Sequence, residues 1–429
     1  MNACPQELLG CLDEADSRMV ALIESLTDEQ LDVPYERGIN PPIWEMGHAA
    51  FFFEYFLLRA LYGGEERMPG YDEIWDSFEI PHRERWSRGV VPEKTTSFDY
   101  YRRVIDETRS HLDRSKELSG KEIYLTKYCI AHQCMHLESL IWSRQTLAYP
   151  APPFSQIAPT DLETCAEYGD AEVPGGDYFV GIPAHDQHAT DATFSFDNER
   201  PGFSVRIEPF NISKTLVSNQ EFAEFVDDDG YKNPDHWTFG GKYWLRQAEA
   251  THPIYWQKRD GAWWMRRFDQ FEPLRPHAPA LHLSFREAEA FCNWAGRRLP
   301  NEFEWEAAAR GPEAHLFPWG NQVVDHQAWD LDARYLGTAP VTAFPQGASP
   351  FGCLQMLGTA WEWTTSQYLP FDGFEVDMYP YMSTLQFGDH KTTRGGGCAT
   401  SSCLIRNTYR QAYYPDRNDV FIGFRTCAL

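Results

Sequence analysis

The sequence predicts an α+β fold in two parts, an N-terminal bundle of four helices and a C-terminal domain of short strands and loops. Apolar residues recur at helical spacing up to about residue 150. Beyond it no long helical pattern persists except from Ser284 to Arg310, and segments rich in Gly, Pro, Trp and Phe take over. Between the two, Tyr149–Pro153 reads as a stiff connection, because proline cannot continue a helix and restricts the residue before it. The expected division is a bundle over 1–150, a Pro-rich linker over 151–171 and a second domain over 172–429.

In the first helix Leu8, Leu9, Leu12, Ala15, Met19, Ile23 and Leu26 recur at helical spacing. A second opens at Asn40-Pro41-Pro42, an N-cap type residue followed by proline near the first turn, and runs through Trp44 to Leu61. A third starts at Thr95 to Ser97 and carries Tyr101, Val104, Ile105 and Leu112, and a fourth runs from about Lys121 to Leu147. A long aromatic loop, Tyr71 to Pro92, joins the second to the third. Such a bundle, with one long crossover, can build a metal site from facing helices. In the second domain Phe285, Ala288, Phe291, Cys292, Ala295 and Leu299 make one apolar helical face. Turn signals stand at Val173–Gly176, Gly240-Gly241 and Gly395–Gly397.

With 42% hydrophobic and 24% charged residues among 429, the chain is that of a packed globular protein, which excludes disordered and collagen-like classes. Asp and Glu number 63 against 38 Lys and Arg, a formal net charge of −25. Such a surface repels phosphate backbones and anionic lipid, so neither nucleic acid nor a membrane is an expected partner. The opening residues lack a basic stretch followed by an apolar run. The most apolar stretch, Ala49 to Leu61, is broken by Glu54 and Arg59 and falls short of the about 20 residues a spanning helix needs. A cytoplasmic location is expected, with the ten cysteines reduced; they form no CxxC pair, which argues against a zinc ribbon.

The strongest chemical signal lies in Ala131–Glu138. His132 and His136 are four residues apart, so both imidazoles project from one helix face and can share a cation. Alone, so short a motif also arises by chance. A third histidine, His48, stands beside the apolar run Ala49–Phe53, and facing the pair across the bundle it would complete a three-histidine site. Glu138 lies on a different face and reads as an outer or structural carboxylate. Three neutral histidines leave about three open positions on an octahedral ion, which suits Fe(II) binding a substrate and dioxygen together. Zinc with a bound water fits the same set.

Further motifs follow in order along the second domain: Val173–Gly181, Phe196–Pro201, Arg297–Trp305, Phe317–Asn321, Gly358–Trp363, Arg394–Gly397 and Gly423–Arg425. Together they resemble the formylglycine-generating-enzyme superfamily, a C-type-lectin-like scaffold. Asn40–His48 and the His132/His136 pair resemble the DinB-like bundle of the ergothioneine-type sulfoxide synthases. The resemblance implies non-haem Fe(II) and dioxygen chemistry that joins sulfur or selenium to an imidazole carbon, with His48, His132 and His136 as iron ligands. It also implies that Tyr368, shortly after Trp361-Glu-Trp363, is the catalytic tyrosine that delivers a proton or hydrogen atom during turnover.

Within that family the usual ergothioneine branch has a glutamine before the second histidine, where this chain has Met135. It has an R-N-W-D-type stretch where this chain has Arg410-Gln411-Ala412-Tyr413. An amide and a carboxylate are thereby replaced, which counts against the usual γ-glutamylcysteine donor. The segment Trp75–Trp86 and the H-x-x-M-H pair look more like the selenoneine synthases. That branch implies a selenosugar donor and hercynine as acceptor; cysteine or γ-glutamylcysteine with hercynine or histidine is the alternative. Arg83, Arg85 and Arg88 are candidate contacts to an anionic substrate, as are Met135, Gln411 and Tyr413 within the substrate site. Aromatic faces suit a trimethylammonium group. Two rival readings are a formylglycine-generating-type oxidase built on Cys398 and Cys403, whose offset from Arg394–Gly397 fits poorly, and a non-catalytic zinc-binding module.

Overall fold

The computed structural model describes residues 4–87, 89–164, 168–184, 189, 193–322 and 329–429. It divides into two compact units, Met1–Pro153 with His185–Phe194, and Phe154–Ala184 with Ser195–Leu429.

The first unit is built on α1 (Pro5–Glu24), α2 (Pro42–Phe52), α3 (Lys94–Arg114) and α4 (Gly120–Thr146). α1 and α2 each pack against both α3 and α4, so α2 lies between α3 and α4. α1 buries Leu8, Leu12, Ala15, Met19, Leu22 and Ile23, the stripe its helical spacing demands. α2 is buried along its whole length, including Glu45 and His48. Asn40 does not cap it. Pro41 occupies that position without a side-chain bond, and the Asn40 amide donates to Glu45 Oε1 at 2.9 Å instead.

After Phe52 the helix does not run on as α. Phe53–Arg59 is a π-helix, wider by one residue per turn. Buried Tyr100 donates from its hydroxyl to Glu54 Oε2 at 2.5 Å, and the Arg67 amide donates to Glu54 Oε1 at 2.7 Å, which staples this segment to its surroundings. The crossover that follows carries a short helix, Asp72–Trp75, and a 3-10 turn, His82–Trp86. Two indoles tie it down: Trp44 Nε1 of α2 donates to the Ile74 carbonyl at 2.7 Å, and the crossover's own Trp86 Nε1 to that of Val33 at 3.0 Å.

The second unit holds two four-stranded sheets. One runs in the order Asp170–Val173, Phe210–Ser213, Cys427–Ala428, Arg297–Arg298; the other Arg410–Tyr413, Lys391–Arg394, Trp361–Gln367, Ile422–Gly423. Among the described residues four helices accompany them: α5 (Asn219–Asp227), α6 (Phe239–Ala248), α7 (Phe285–Ala295) and α8 (Glu302–Arg310). The single helical run expected over Ser284 to Arg310 is therefore two helices. Gly296 takes the left-handed φ of 64° that ends α7, and Asn301 caps α8 by accepting from the Phe303 and Glu304 amides. Charges are buried in pairs here. Glu362 and Arg425 are wholly buried and meet at 2.7 and 2.9 Å; Glu302 meets Arg410 at 2.9 and 3.2 Å. Among the described residues no helix is long and apolar enough to cross a membrane.

Candidate metal centre

Ser119 fixes where α4 begins. Its hydroxyl accepts from the Glu122 amide at 3.3 Å, while the Glu122 carboxylate accepts from the Ser119 amide at 2.7 Å, a reciprocal capping box. His132 and His136 then emerge from one face of α4, and α2 presents His48 to the same place. One ring nitrogen from each of the three lies within 4.8 Å of the others. Nε2 of His132 and Nε2 of His136 are 3.1 Å apart. His48 and His132 are buried and His136 is half-buried.

Hydrogen bonding on the far side of two rings fixes which nitrogen faces inward. His48 Nδ1 lies 2.5 Å from the Trp75 carbonyl oxygen, which can only accept, so this ring donates from Nδ1 and keeps a lone pair on Nε2. His136 Nδ1 bonds in the same sense to Glu45 Oε2. His132 Nδ1 is buried with no hydrogen-bond partner among the described residues. Nε2 of His48 and of His136 therefore carries a lone pair, and His132 Nε2 stands 3.1 Å from that of His136. The donor set fits a metal ion held by three imidazoles.

The electrostatics favour neutral His48 and His132. Burial pushes the pKa of His48 and of His132 well below the usual value, and the neighbouring His136 adds to this. Burial opposes the charge on Glu45, but His136, Asn40 and Ser139 outweigh it and hold that carboxyl at about 2. Ser139 Oγ donates to Glu45 Oε1 at 2.7 Å. Two aromatic rings lie flat on the site: Trp44 on His48, with centroids 4.7 Å apart and planes 11° apart, and Phe52 on His132, at 3.4 Å and 10°.

Glu45 carries no role in the sequence reading, although it lies within Asn40–His48. The signal available is a carboxylate in an otherwise apolar helix, three residues before a candidate ligand. Glu138 is buried and lies outside the three-histidine group. Met135, beside His136, is half-buried. Arg83 is exposed, its guanidinium 4.9 Å from the centroid of Tyr35. Arg85 donates to Asn40 Oδ1 at 2.7 Å and to the Ser77 carbonyl at 2.9 Å, and lies 3.8 Å from the centroid of Trp44. Arg88 falls outside the described residues.

Tyr368, Gln411 and Tyr413 belong to the second unit. Tyr368 is buried, and that burial pushes its phenol pKa up; Arg410 lies 4.9 Å from its ring centroid, and the Tyr368 amide donates to the His390 carbonyl at 2.9 Å. Gln411 is half-buried in the strand Arg410–Tyr413, with its carbonyl accepting from Thr393 Oγ1 at 3.1 Å. Tyr413 is buried edge-on to Trp361 and Trp363, at centroid distances of 6.4 and 6.5 Å. Cys398 is buried, Cys403 is exposed, and neither forms a disulfide.

Residues 12–140 match the DinB superfamily and residues 161–428 the sulfatase-modifying factor enzyme 1-like domain. The chain is 32% identical over 425 residues to the hercynine oxygenase of Mycolicibacterium smegmatis, covering 96% of both chains. It is 31% identical over 434 residues to the hercynine oxygenase of Mycobacterium tuberculosis, covering 98% of both. The formylglycine-generating enzyme of Bos taurus is 34% identical over 293 residues, 60% of this chain and 77% of that one.

Proposed function

The chain belongs to the hercynine oxygenase family, and on that premise we propose that it forms a carbon–selenium or carbon–sulfur bond on the imidazole ring of hercynine, using Fe(II) and dioxygen. The observation that carries this reading is the convergence of the His48, His132 and His136 nitrogens within 4.8 Å. These residues would hold the iron, with Glu45 and the Trp75 carbonyl orienting two of them. When bound, iron supplies a redox-active Lewis acid with open positions for the donor and the oxidant.

One C–H bond of the imidazole and one Se–H or S–H bond of the donor break. The carbon–chalcogen bond forms, the chalcogen takes one oxygen atom, and the second leaves as water with the two released protons. Tyr368 is the proposed proton donor. Its burial keeps the phenol protonated at physiological pH, so it carries a proton to give. The Arg410 guanidinium lies 4.9 Å from the Tyr368 ring centroid, and Ser383 shares a side-chain hydrogen bond with Tyr368.

A selenosugar is the proposed donor, supported by the segment Trp75–Trp86 and by Met135 and Gln411 at positions where the γ-glutamylcysteine branch carries other groups. A thiol donor, cysteine or γ-glutamylcysteine, is the second reading, and histidine is the alternative acceptor. The test is an anaerobic, Fe(II)-reconstituted reaction of hercynine or histidine with a selenosugar, cysteine or γ-glutamylcysteine, started by oxygen and read by mass spectrometry. A coupled selenium product with hercynine is expected, and His132→Ala should abolish both it and iron binding. A product from a thiol alone would replace the donor assignment. Tightly held zinc and no oxygen uptake with any pair would overturn the enzymatic reading.

A further inference from the structure

We infer that the crossover segment Trp75–Trp86 is an outer brace for the histidine centre, and that Arg85 and Glu45 are positioning residues for its imidazoles. The inference rests on the metal reading above and extends it to side chains one and three hydrogen bonds away from a ligand. Two routes lead from this segment to the rings. In the first, Arg85 Nη1 donates to Asn40 Oδ1 at 2.7 Å, Asn40 Nδ2 donates to Glu45 Oε1 at 2.9 Å, and Glu45 Oε2 holds His136 Nδ1. In the second, the Trp75 carbonyl accepts from His48 Nδ1 at 2.5 Å.

A stacked column joins the two routes. The Arg85 guanidinium lies 3.8 Å from the centroid of Trp44, whose ring lies on His48. The other branch of the Arg85 fork reaches back to the Ser77 carbonyl at 2.9 Å, so the arginine is anchored in its own loop while it grips α2. The segment is seated without slack. Trp75 is packed so closely over Gly47 that a Cβ there would come within 2.3 Å of the indole. A planar fork that donates in two directions and also stacks is a task for arginine alone among the cations, because a lysine ammonium offers no flat face.

Outer partners of metal-bound histidine fix the ring's tautomer and direction, and their loss weakens metal binding by about 10- to 100-fold. The experiment titrates Co(II), a visible-absorbing substitute for Fe(II), into substrate-free full-length protein. Arg85→Ala and Glu45→Gln are each expected to weaken Co(II) affinity within that range and to alter the visible bands. The double variant should lose less than the two single losses combined, since both cut the Asn40–Glu45 chain while only Arg85→Ala also removes the stack on Trp44. Arg85→Lys, which keeps charge and most of the packing, should bind Co(II) more weakly than wild type and guards against an Ala variant that fails to fold. Wild-type Co(II) affinity and spectrum in Arg85→Lys, with only the KM for the donor raised, would overturn the brace and make Arg85 a substrate contact. A wild-type protein whose Co(II) binding does not depend on His132 would instead sink the metal reading itself.

Discussion

Phe52 lies flat against His132, ring centroids 3.4 Å apart and planes 10° apart, so this buried imidazole is sealed by a phenyl ring from its own bundle. Phe52 is wholly buried, and removing its ring opens a cavity directly on that imidazole. Phe52→Ala should destabilise the bundle by about 3–5 kcal/mol, measured by urea unfolding. It should also loosen His132 enough to lower metal affinity, which a Co(II) titration of the folded variant would register.

Tyr368→Phe removes one hydroxyl from a buried ring and leaves the Arg410 contact to its face in place. Iron content should stay at the wild-type level while turnover diverts from coupling toward plain oxidation of the thiol or selenol donor. An unchanged coupling yield, followed by mass spectrometry, would remove Tyr368 from the mechanism.

Glu362 and Arg425 form a wholly buried pair in the second unit. Glu362→Ala leaves the guanidinium uncompensated in a low-dielectric interior, which costs about 3–5 kcal/mol. Differential scanning calorimetry should show the loss. Replacing both residues with apolar ones should recover a large part of it.

Asp330 is wholly buried, and burial raises its carboxyl pKa from 3.8 to about 7, against the pull of the Tyr335 and Gly337 amides that donate to it at 3.0 and 3.1 Å. Its folded pKa lies above the unfolded one, so the stability it contributes is fully present below pH 3.8 and is lost as pH rises through about 7. The Tm of the wild type should therefore fall across this window relative to Asp330→Asn, which has no proton to lose. Parallel Tm curves for the two proteins would exclude Asp330 as the titrating group.

The bundle was legible because its helices are long and each keeps one apolar stripe. Helical spacing put His132 and His136 on one face, whereas the place of His48 beside them came from the family resemblance. Shorter elements gave less warning. α6 leaves Phe239 87% and Tyr243 59% exposed, so its apolar residues do not mark an inner face. α5 carries a capping box at Ser218 and Glu221 that would have located its start. The run from Ser284 reads as one helix because apolar spacing continues through Leu299, although Gly296, Pro300 and Asn301 betray the break. The partners of the histidines were hidden for another reason. A backbone carbonyl, such as that of Trp75, has no sequence signature, and a carboxylate inside a helix declares its partner only when its neighbours are in place.

The widened turns at Phe53–Arg59 set the direction in which the chain leaves α2. Each residue of an α-helix advances the azimuth by about 100°, so an extra residue per turn swings the exit of this helix well away from where a regular one would release it. The carbonyl that steadies His48 sits on the far side of that exit, at Trp75. Deleting a single residue from this stretch would restore regular winding and leave each nearby side chain chemically intact, yet it would re-aim the whole crossover. The geometry around the three imidazoles is thus encoded partly in chain length, at positions where no individual amino acid announces it.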